Sequence, residues 1–289
     1  MPAAPTRPRI GISLPVRELT DDIGAIVDFA TRAEALGFTH LRIPEQIVRR
    51  DSGHLHEPLT FLAFLAGKTE RIGLVPSILI LPARQTALVA KQAAEIDVLS
   101  GGRLRLGVGV GFDRDEYRAL GVDFSTRGRR CSEQMALLRR LWTEPEVSFT
   151  GEFDDLDRVG IDPLPVQRPI PQWVGGGVEL SEPVLRRIAH HGDGWFALCE
   201  PEAYAGMRRR IESLATEAGR DPGDIGGEAS VAAVGVGEAE WLATVGAWAE
   251  QGVTHLCMRT LGAGLDAAGH LSALERTHRV LTDTGWMAG

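Results

Sequence analysis

The chain of 289 residues is poor in cysteine and in long apolar runs. Its three cysteines, Cys131, Cys199 and Cys257, are far apart and lack metal-like pairing, so we expect reduced thiols buried as small apolar residues. No apolar stretch reaches the roughly 18 residues of a membrane span, and no apolar segment precedes a cleavage site at the N-terminus. These absences predict a cytoplasmic protein that contacts no membrane.

Positive charge is also scarce. The chain has 31 Lys and Arg against 39 Asp and Glu, which gives a net charge of -8. It contains no basic cluster of the kind that binds a nucleic-acid backbone, and no group of histidines and carboxylates with the spacing of a metal site. We therefore expect a small organic molecule as the partner, and neither nucleic acid nor a metal.

What the sequence does contain is a regular alternation of strand-like and helical segments. Strand-like runs cover 9–15, 40–45, 71–81, 103–111, 172–177, 194–198, 229–236 and 255–260, and helical periodicity follows each run near 20–36, 58–67, 85–98, 126–142, 180–191, 202–218, 239–251 and 267–284. This order predicts a parallel sheet, and the count of eight favours a closed (β/α)₈ barrel. We expect one domain over 1–289, with a Pro-rich, hairpin-like insertion at 144–171.

The fourth run, "RLRLGVGVG", carries Gly107, Gly109 and Gly111 on one face of a strand. A dinucleotide fingerprint requires a glycine where Phe112 stands, and the Gly-Lys-Ser/Thr ending of a phosphate loop is missing. The glycines indicate that a flat ligand or another backbone approaches closely, or that the barrel interior is tightly packed. The pattern alone leaves these readings open.

Other candidates follow the remaining strands, where barrel active sites lie. Pro76 and Pro82 interrupt the third run around Ser77, which indicates either irregular backbone retained for function or a harmless bulge. Gly175–Gly177 lead into a helix, a pattern typical of an anion site or of a plain turn. His54 and His56 follow the second run, but loop histidines are more often simply solvated.

Taken together, the ordered segments resemble a known family. The stretch "RIGLVPSILILPARQTALVAKQAAEIDVLSGGRLRLGVGVGFDRDEYRALGVDFSTRGRR", followed by "LWTEPEVSFTGEFDDLD", "PLPVQRPIPQWVGGG" and "GDGWF", resembles the luciferase-like monooxygenase superfamily, and within it the branch that uses the deazaflavin coenzyme F420. The resemblance covers roughly residues 9–260. It implies a (β/α)₈ barrel with the deazaflavin, or alternatively FMN, across the carboxyl ends of the strands.

The resemblance also implies which residues bind the cofactor. Ser77-Ile78 matches the family's non-prolyl cis bulge behind the ring, the strand glycines match a face that the ring approaches, and Gly175–Gly177 match a phosphate-binding turn. The implied cofactor-binding residues are Ser77, Ile78, Ile80, Gly109, Val110, Gly111, Asp115, Gly175, Gly176 and Gly177. The family also pairs through outer helices, and "EPLTFLAFLAGKTERIG" is apolar on more than one face, so we expect a homodimer.

One departure from the family concerns the catalytic residues. Many members carry an Asp-His pair where this chain has Glu45 and Gln46, and an amide cannot act as a general base. We therefore take Glu45, Gln46 and Glu116 as candidate catalytic residues, with solvent as another proton source. Phe112 stands where sugar-phosphate dehydrogenases have an acid, which disfavours that branch. The expected activity is F420-dependent hydride transfer; the alternatives are an FMN-dependent monooxygenase and a non-catalytic ligand-binding barrel.

Overall fold

The computed structural model describes residues 7–48 and 55–288, and its centre is a parallel barrel. The barrel strands are β1 (Arg9–Ser13), β2 (His40–Ile43), β3 (Gly73–Pro76), β4 (Leu79–Ile80), β5 (Leu106–Gly109), β8 (Gln172–Gly175), β9 (Gly194–Phe196), β10 (Gly226–Ala232) and β11 (His255–Arg259). They run in the order β3-β2-β1-β11-β10-β9-β8-β5-β4. Because β3 and β4 are two pieces of one interrupted strand, the sheet closes on itself and the predicted (β/α)₈ barrel is confirmed.

Helices surround this barrel. They are α1 (Ile23–Ala35), α2 (Pro58–Ala66), α3 (Thr86–Ser100), α4 (Arg114–Ala119), α5 (Arg127–Thr143), α6 (Glu182–His191), α7 (Pro201–Glu217), α8 (Glu238–Glu250) and α9 (Ala267–Asp283). All eight predicted helices are present within a few residues of their expected ends. The six-residue α4 was not predicted, since it is too short to show an apolar period.

Two strands lie outside the barrel. β6 (Val147–Thr150) and β7 (Asp155–Val159) pair antiparallel between α5 and β8, as the hairpin character of that segment indicates. The Asp162-Pro163 and Arg168-Pro169 peptide bonds that follow are both cis.

Apolar strand and helix faces form one continuous core between the barrel and its helices. Cys131, Cys199 and Cys257 are buried and unpaired, as predicted. None of the helices in the described part of the chain is both long and apolar enough to cross a bilayer. His54 lies outside the described residues, while the ring of His56 stacks on Phe61 at 4.6 Å.

Candidate functional site

The interruption between β3 and β4 is the centre of the candidate site. The Ser77-Ile78 peptide bond is cis, as the family resemblance implies. The side chain of Ile78 reaches the ends of β5 and β8, where a Cβ on Gly109 would lie 2.7 Å from its Cδ1 atom and one on Gly175 would lie 2.4 Å from its Cγ2 atom. The cis peptide, Gly109 and Gly175 thus meet at the carboxyl end of the barrel.

The strand glycines make room for other parts of the protein, which is one of the two readings that their pattern leaves open. A Cβ on Gly107 would lie 2.1 Å from the carbonyl oxygen of Pro76, and one on Gly111 would lie 2.9 Å from Ile80. Gly111 also has a φ of 62°, which favours glycine. Tight packing of the barrel interior thus accounts for this glycine pattern.

Glu45 is part of the framework of this site. Its carboxylate accepts hydrogen bonds from the backbone amide of Ile80 and from Arg84, and its side chain is 1% exposed. Burial raises the pKa of Glu45, although Arg84 and the Ile80 amide act in the opposite direction. These contacts fix β4 against the loop after β2, so the Glu45 carboxylate is engaged by the protein.

Glu116 has a similar structural contact. Its Oε1 atom accepts a 2.7 Å hydrogen bond from the Ile47 amide, and the residue is buried. Asp115 pairs with Arg118 at 2.8 Å, and the carbonyl of Val110 accepts a 2.6 Å hydrogen bond from Tyr117. This group ties the segment after β5 to the segment after β2, so the Glu116 carboxylate is also engaged by the protein.

Gln46 differs from both carboxylates. Its Oε1 atom is buried and has no hydrogen-bond partner in the part of the chain that the structure describes. A buried amide oxygen without a partner costs roughly 1–3 kcal/mol, so such atoms are uncommon unless a ligand or water completes them. Gln46 lies three residues beyond β2, next to the framework built by Glu45, and it is suited to accept a hydrogen bond from a bound molecule.

The predicted phosphate turn, Gly175–Gly177, has one open position. A Cβ on Gly176 would lie 2.3 Å from the terminal Cδ2 atom of Leu180, which would have to move, whereas Gly177 is exposed and meets nothing closer than 3.6 Å. Helix α6 follows, and its N-cap residue Ser181 makes no side-chain capping hydrogen bond. In that first turn Pro183 has no N–H, and the Val184 and Leu185 amides donate to the Ser181 carbonyl, so the capacity to bind an anion rests with the glycine turn itself.

Below the site, the barrel interior contains a buried ion cluster. Arg42 donates to Ser77 Oγ at 2.6 Å and to Ser230 Oγ at 2.8 Å, and it lies 3.0 Å from Glu228 Oε1. Arg105 forms a second ion pair with the same carboxylate and stacks over the Trp173 ring at 4.2 Å. Barrel interiors are usually filled by branched apolar side chains, so this cluster is exceptional.

Burial and charge determine the ionisation of this cluster. Burial favours a raised pKa for Glu228, but Arg105, His40 and Arg42 hold it well below its ordinary value. Burial lowers the pKa of His40, and burial, reinforced by Arg105, lowers that of His255 to about 3. His40 and Glu228 also lie near the thiol of Cys257, whose pKa burial raises. Both guanidinium groups already contact Glu228. His40, Glu228 and Cys257 therefore belong to an ion-pair cluster and do not form a site for a metal cation.

Sequence reasoning missed the ion cluster. The available signal was a charged residue on the inward face of several barrel strands, in "HLRI", "RLRLG" and "GGEAS". Arg42 and Glu228 are 186 positions apart, and only the barrel places their strands across a shared interior.

Exposed apolar side chains border the barrel mouth on one side. They follow four neighbouring strands, β5, β8, β9 and β10: Phe112 is 92% exposed, Val178 64%, Leu198 53% and Val236 41%. A cavity of about 560 Å³ continues beyond this arc, between the end of β10 and the helices α8 and α9. This side of the barrel mouth therefore has an apolar border.

Fold and site together define a (β/α)₈ barrel with a cis-peptide cradle at the carboxyl ends of its strands. The model of the family described as luciferase-like monooxygenase matches residues 3–281. The chain therefore belongs to the luciferase-like monooxygenase family, which makes it an enzyme of the oxidoreductase and monooxygenase class.

Relatives with different cofactors resemble the chain to a similar degree. An uncharacterised protein of Mycobacterium tuberculosis is 34% identical over 222 residues, 70% of this chain and 75% of that protein. The FMNH₂-dependent dimethylsulfone monooxygenase of Pseudomonas putida is 31% identical over 166 residues, 56% of this chain and 44% of its own length. The F420-dependent glucose-6-phosphate dehydrogenase of Intrasporangium calvum is 34% identical over 179 residues, 59% and 52% of the two chains.

A solved structure shares the fold over nearly its whole length. The monooxygenase RslO1 from Streptomyces bottropensis has a TM-score of 0.79 and 22% identity, and the match covers 96% of this chain and 99% of that one. The relatives thus support a deazaflavin or flavin cofactor without deciding between the two.

Proposed function

We propose that the protein is a coenzyme F420-dependent oxidoreductase that transfers hydride between the deazaflavin and a small organic substrate. The observation that carries the proposal is the amide oxygen of Gln46, which has no partner among the described residues and follows Glu45, whose carboxylate holds the Ile80 amide just after Ser77-Ile78. A flat heterocycle with N–H donors satisfies that oxygen and lies against the isoleucine surface. In the open turn at Gly177, backbone N–H groups donate hydrogen bonds to the cofactor phosphate.

In this mechanism the reduced deazaflavin supplies the hydride, and the chain supplies position and environment. Ile78 and Ile80 form the surface against which the ring lies, and Glu45 fixes their backbone through the Ile80 amide. Gln46 orients the ring edge or the substrate without transferring a proton. Because Glu45 and Glu116 are held by backbone amides of the protein, the proton required by the product comes from solvent.

The second candidate is an FMN-dependent monooxygenase, which the 31% identity to the FMNH₂-dependent relative favours. Equilibrium titration of the apoprotein with F420 and with FMN separates the two candidates. We expect tighter binding of F420, and tighter binding of FMN would overturn the cofactor assignment. Gly177→Asp should weaken binding of either cofactor by placing a carboxylate at the phosphate turn, whereas the matched Gly177→Ala variant should bind as wild type.

The arc formed by Phe112, Val178, Leu198 and Val236 supports an uncharged, largely apolar substrate. Exposed acids, Glu179 and Glu200, follow the same strands and would repel an anionic substrate. Phe112→Ala should therefore raise KM for apolar alcohols, ketones or imines with little change in cofactor affinity. Faster turnover of a sugar phosphate than of any of these compounds would contradict this substrate class.

The outer faces of α2 and α3 support the proposed homodimer. Phe64 is 42% exposed, Leu88 53% and Leu99 56%, and Leu88 and Leu99 lie on one face of α3 because they are eleven positions apart. Light scattering should give a dimer at micromolar concentration for the wild type and a monomer for Leu88→Glu combined with Leu99→Glu. A wild-type monomer would refute this assembly.

A further inference from the structure

The ion cluster inside the barrel is charged more positively than its own residues can balance. Arg42 and Arg105 both contact Glu228, the single carboxylate in the cluster within the described residues. His40 and His255 are neutral near pH 7 because burial lowers their pKa values. Two guanidinium groups against one carboxylate leave one uncompensated positive charge.

That charge is oriented toward the barrel mouth. Arg105 precedes β5 and is thus near the amino ends of the strands, where it stacks on Trp173. Arg42 is nearer the carboxyl ends, since it donates to Ser77, which follows β3, and to Ser230, two residues beyond Glu228 in β10. The two arginine side chains are equally exposed, at 11% and 12%, so it is the contact with Ser77 that places Arg42 nearer the mouth.

Burying such a cluster is expensive, and replacing buried ion pairs with apolar residues is often neutral or stabilising. Stability alone therefore gives little reason for a cationic floor directly beneath the cis peptide. The chemistry of the cradle gives a better reason, because two-electron reduction of a flavin or deazaflavin ring increases its electron density, and the deprotonated reduced ring is an anion. A fixed positive charge below the ring stabilises the electron-rich reduced form more than the oxidised form.

We infer that Arg42 is a positioning residue whose charge, held in place by Glu228 and Ser230, selectively stabilises the reduced anionic cofactor through the Ser77 floor of the site. This inference rests on the proposed function, because it requires a flavin or deazaflavin above Ser77. It adds a role that the cradle residues do not provide. The cradle determines where the ring lies, and Arg42 determines which redox state binds more tightly.

The test measures the dissociation constants of the oxidised and reduced cofactor anaerobically, at one pH, for wild type, Arg42→Gln and Arg42→Lys. We expect Arg42→Gln to reduce the preference for the reduced form by on the order of tenfold, as loss of a nearby charge in a partly buried site implies. Arg42→Lys keeps the charge and should restore most of that preference. Glu228→Gln removes the compensating carboxylate and should increase the preference for the reduced form.

Arg103→Gln is the matched control. Arg103 makes hydrogen bonds to Thr69, Ala66 and Ile72 near the amino end of β5, so its loss should lower stability and leave the ratio of the two dissociation constants unchanged. The same ratio in folded Arg42→Gln as in wild type would overturn the inference, and so would a change confined to KM for an anionic substrate. If Arg42→Gln does not fold, an unchanged ratio in both Arg42→Lys and Glu228→Gln would overturn it. Failure of wild type to bind either cofactor would instead refute the proposed function.

Discussion

Gly107→Ala tests whether the strand glycines are required by packing. An ideal Cβ at this position lies 2.1 Å from the carbonyl oxygen of Pro76 and 2.8 Å from the Phe196 ring. Even close C···O contacts are about 3.3 Å, so the two backbones must separate by roughly 1 Å. A backbone carbonyl in a barrel strand cannot rotate away, and overpacking of a well-filled core costs about 1–3 kcal/mol, occasionally more. We expect a loss of about 3 kcal/mol.

Gly109→Ala should cost less, about 1–2 kcal/mol, because the nearest atom is the terminal Cδ1 of Ile78 at 2.7 Å and a side-chain end can move. Ile78→Val removes that atom, so the double variant should be more stable than the two single effects predict. Gly246→Ala in α8 is the control, since nothing lies within 4 Å of its Cβ and it should gain about 0.5–1 kcal/mol.

Urea unfolding, supported by thermal melting, measures these effects. About 3 kcal/mol corresponds to a fall in Tm of roughly 6–12 °C in a domain of this size. Wild-type stability for Gly107→Ala, in an experiment that detects the gain from Gly246→Ala, would refute the packing explanation. The glycine face would then be free for another purpose, and a ring lying directly on β5 would again be a possible arrangement.

Other substitutions test the site and its surroundings. Gln46→Leu should leave the apoprotein as stable or more stable, because it removes a buried oxygen that has no partner among the described residues. The same variant should bind the cofactor more weakly by roughly 0.5–1.5 kcal/mol. Calorimetry measures both quantities, and an unchanged affinity would place Gln46 outside the site. Arg84→Met should lower the free energy of unfolding in urea by about 3–5 kcal/mol, because it leaves the Glu45 carboxylate buried without its cation. Adding Glu45→Gln should recover part of this loss. Wild-type stability of Arg84→Met would contradict the framework role of the pair. Burial lowers the pKa of His191 to about 4, so between that value and the unfolded pKa near 6.5 the unfolded chain binds a proton that the folded chain does not. Stability therefore falls as pH falls through this window, by up to about 1.4 kcal/mol per pH unit. Urea unfolding at several pH values should show a smaller slope for His191→Gln.

The sequence was sufficient to predict the barrel because short strand-like runs alternate regularly with segments of helical character. Contacts between distant segments were harder to predict. The glycines of β5 were recognised as unusual, but their partners, Pro76 and Ile78, belong to another strand, and the distances become available only when β4 pairs with β5. A strand pattern reports which face a residue occupies and not what lies opposite.

Candidate site residues were predicted with the same limitation. Glu45, Gln46 and Glu116 were selected by resemblance and by position after a strand, yet their environments differ. Glu45 and Glu116 accept hydrogen bonds from backbone amides, whereas the Oε1 atom of Gln46 accepts none from the residues that the structure describes. Sequence position brought all three to the same region, but the hydrogen bonds that separate framework from binding group depend on backbone placement. Arg42 was overlooked because a charged residue in a strand usually indicates a face exposed to solvent, whereas the inward face of a barrel strand is not exposed.

The hydrogen bonds that hold the Glu45 and Glu116 carboxylates limit the kinds of substrate that this site can reduce. Hydride addition to a ketone leaves an alkoxide that requires a proton at once, and a positioned acid would normally supply it. In the described part of the mouth, the carboxylates of Glu45 and Glu116 accept hydrogen bonds from backbone amides, and the amide of Gln46 is not an acid. The thiol of Cys257 lies deeper in the barrel, and burial raises its pKa. An uncharged acceptor that needs no acid in the hydride step, such as a conjugated alkene whose anion is stabilised, fits this site better. The floor charge of Arg42 suits this reading, because it favours holding the reduced ring ready while solvent provides the proton afterwards.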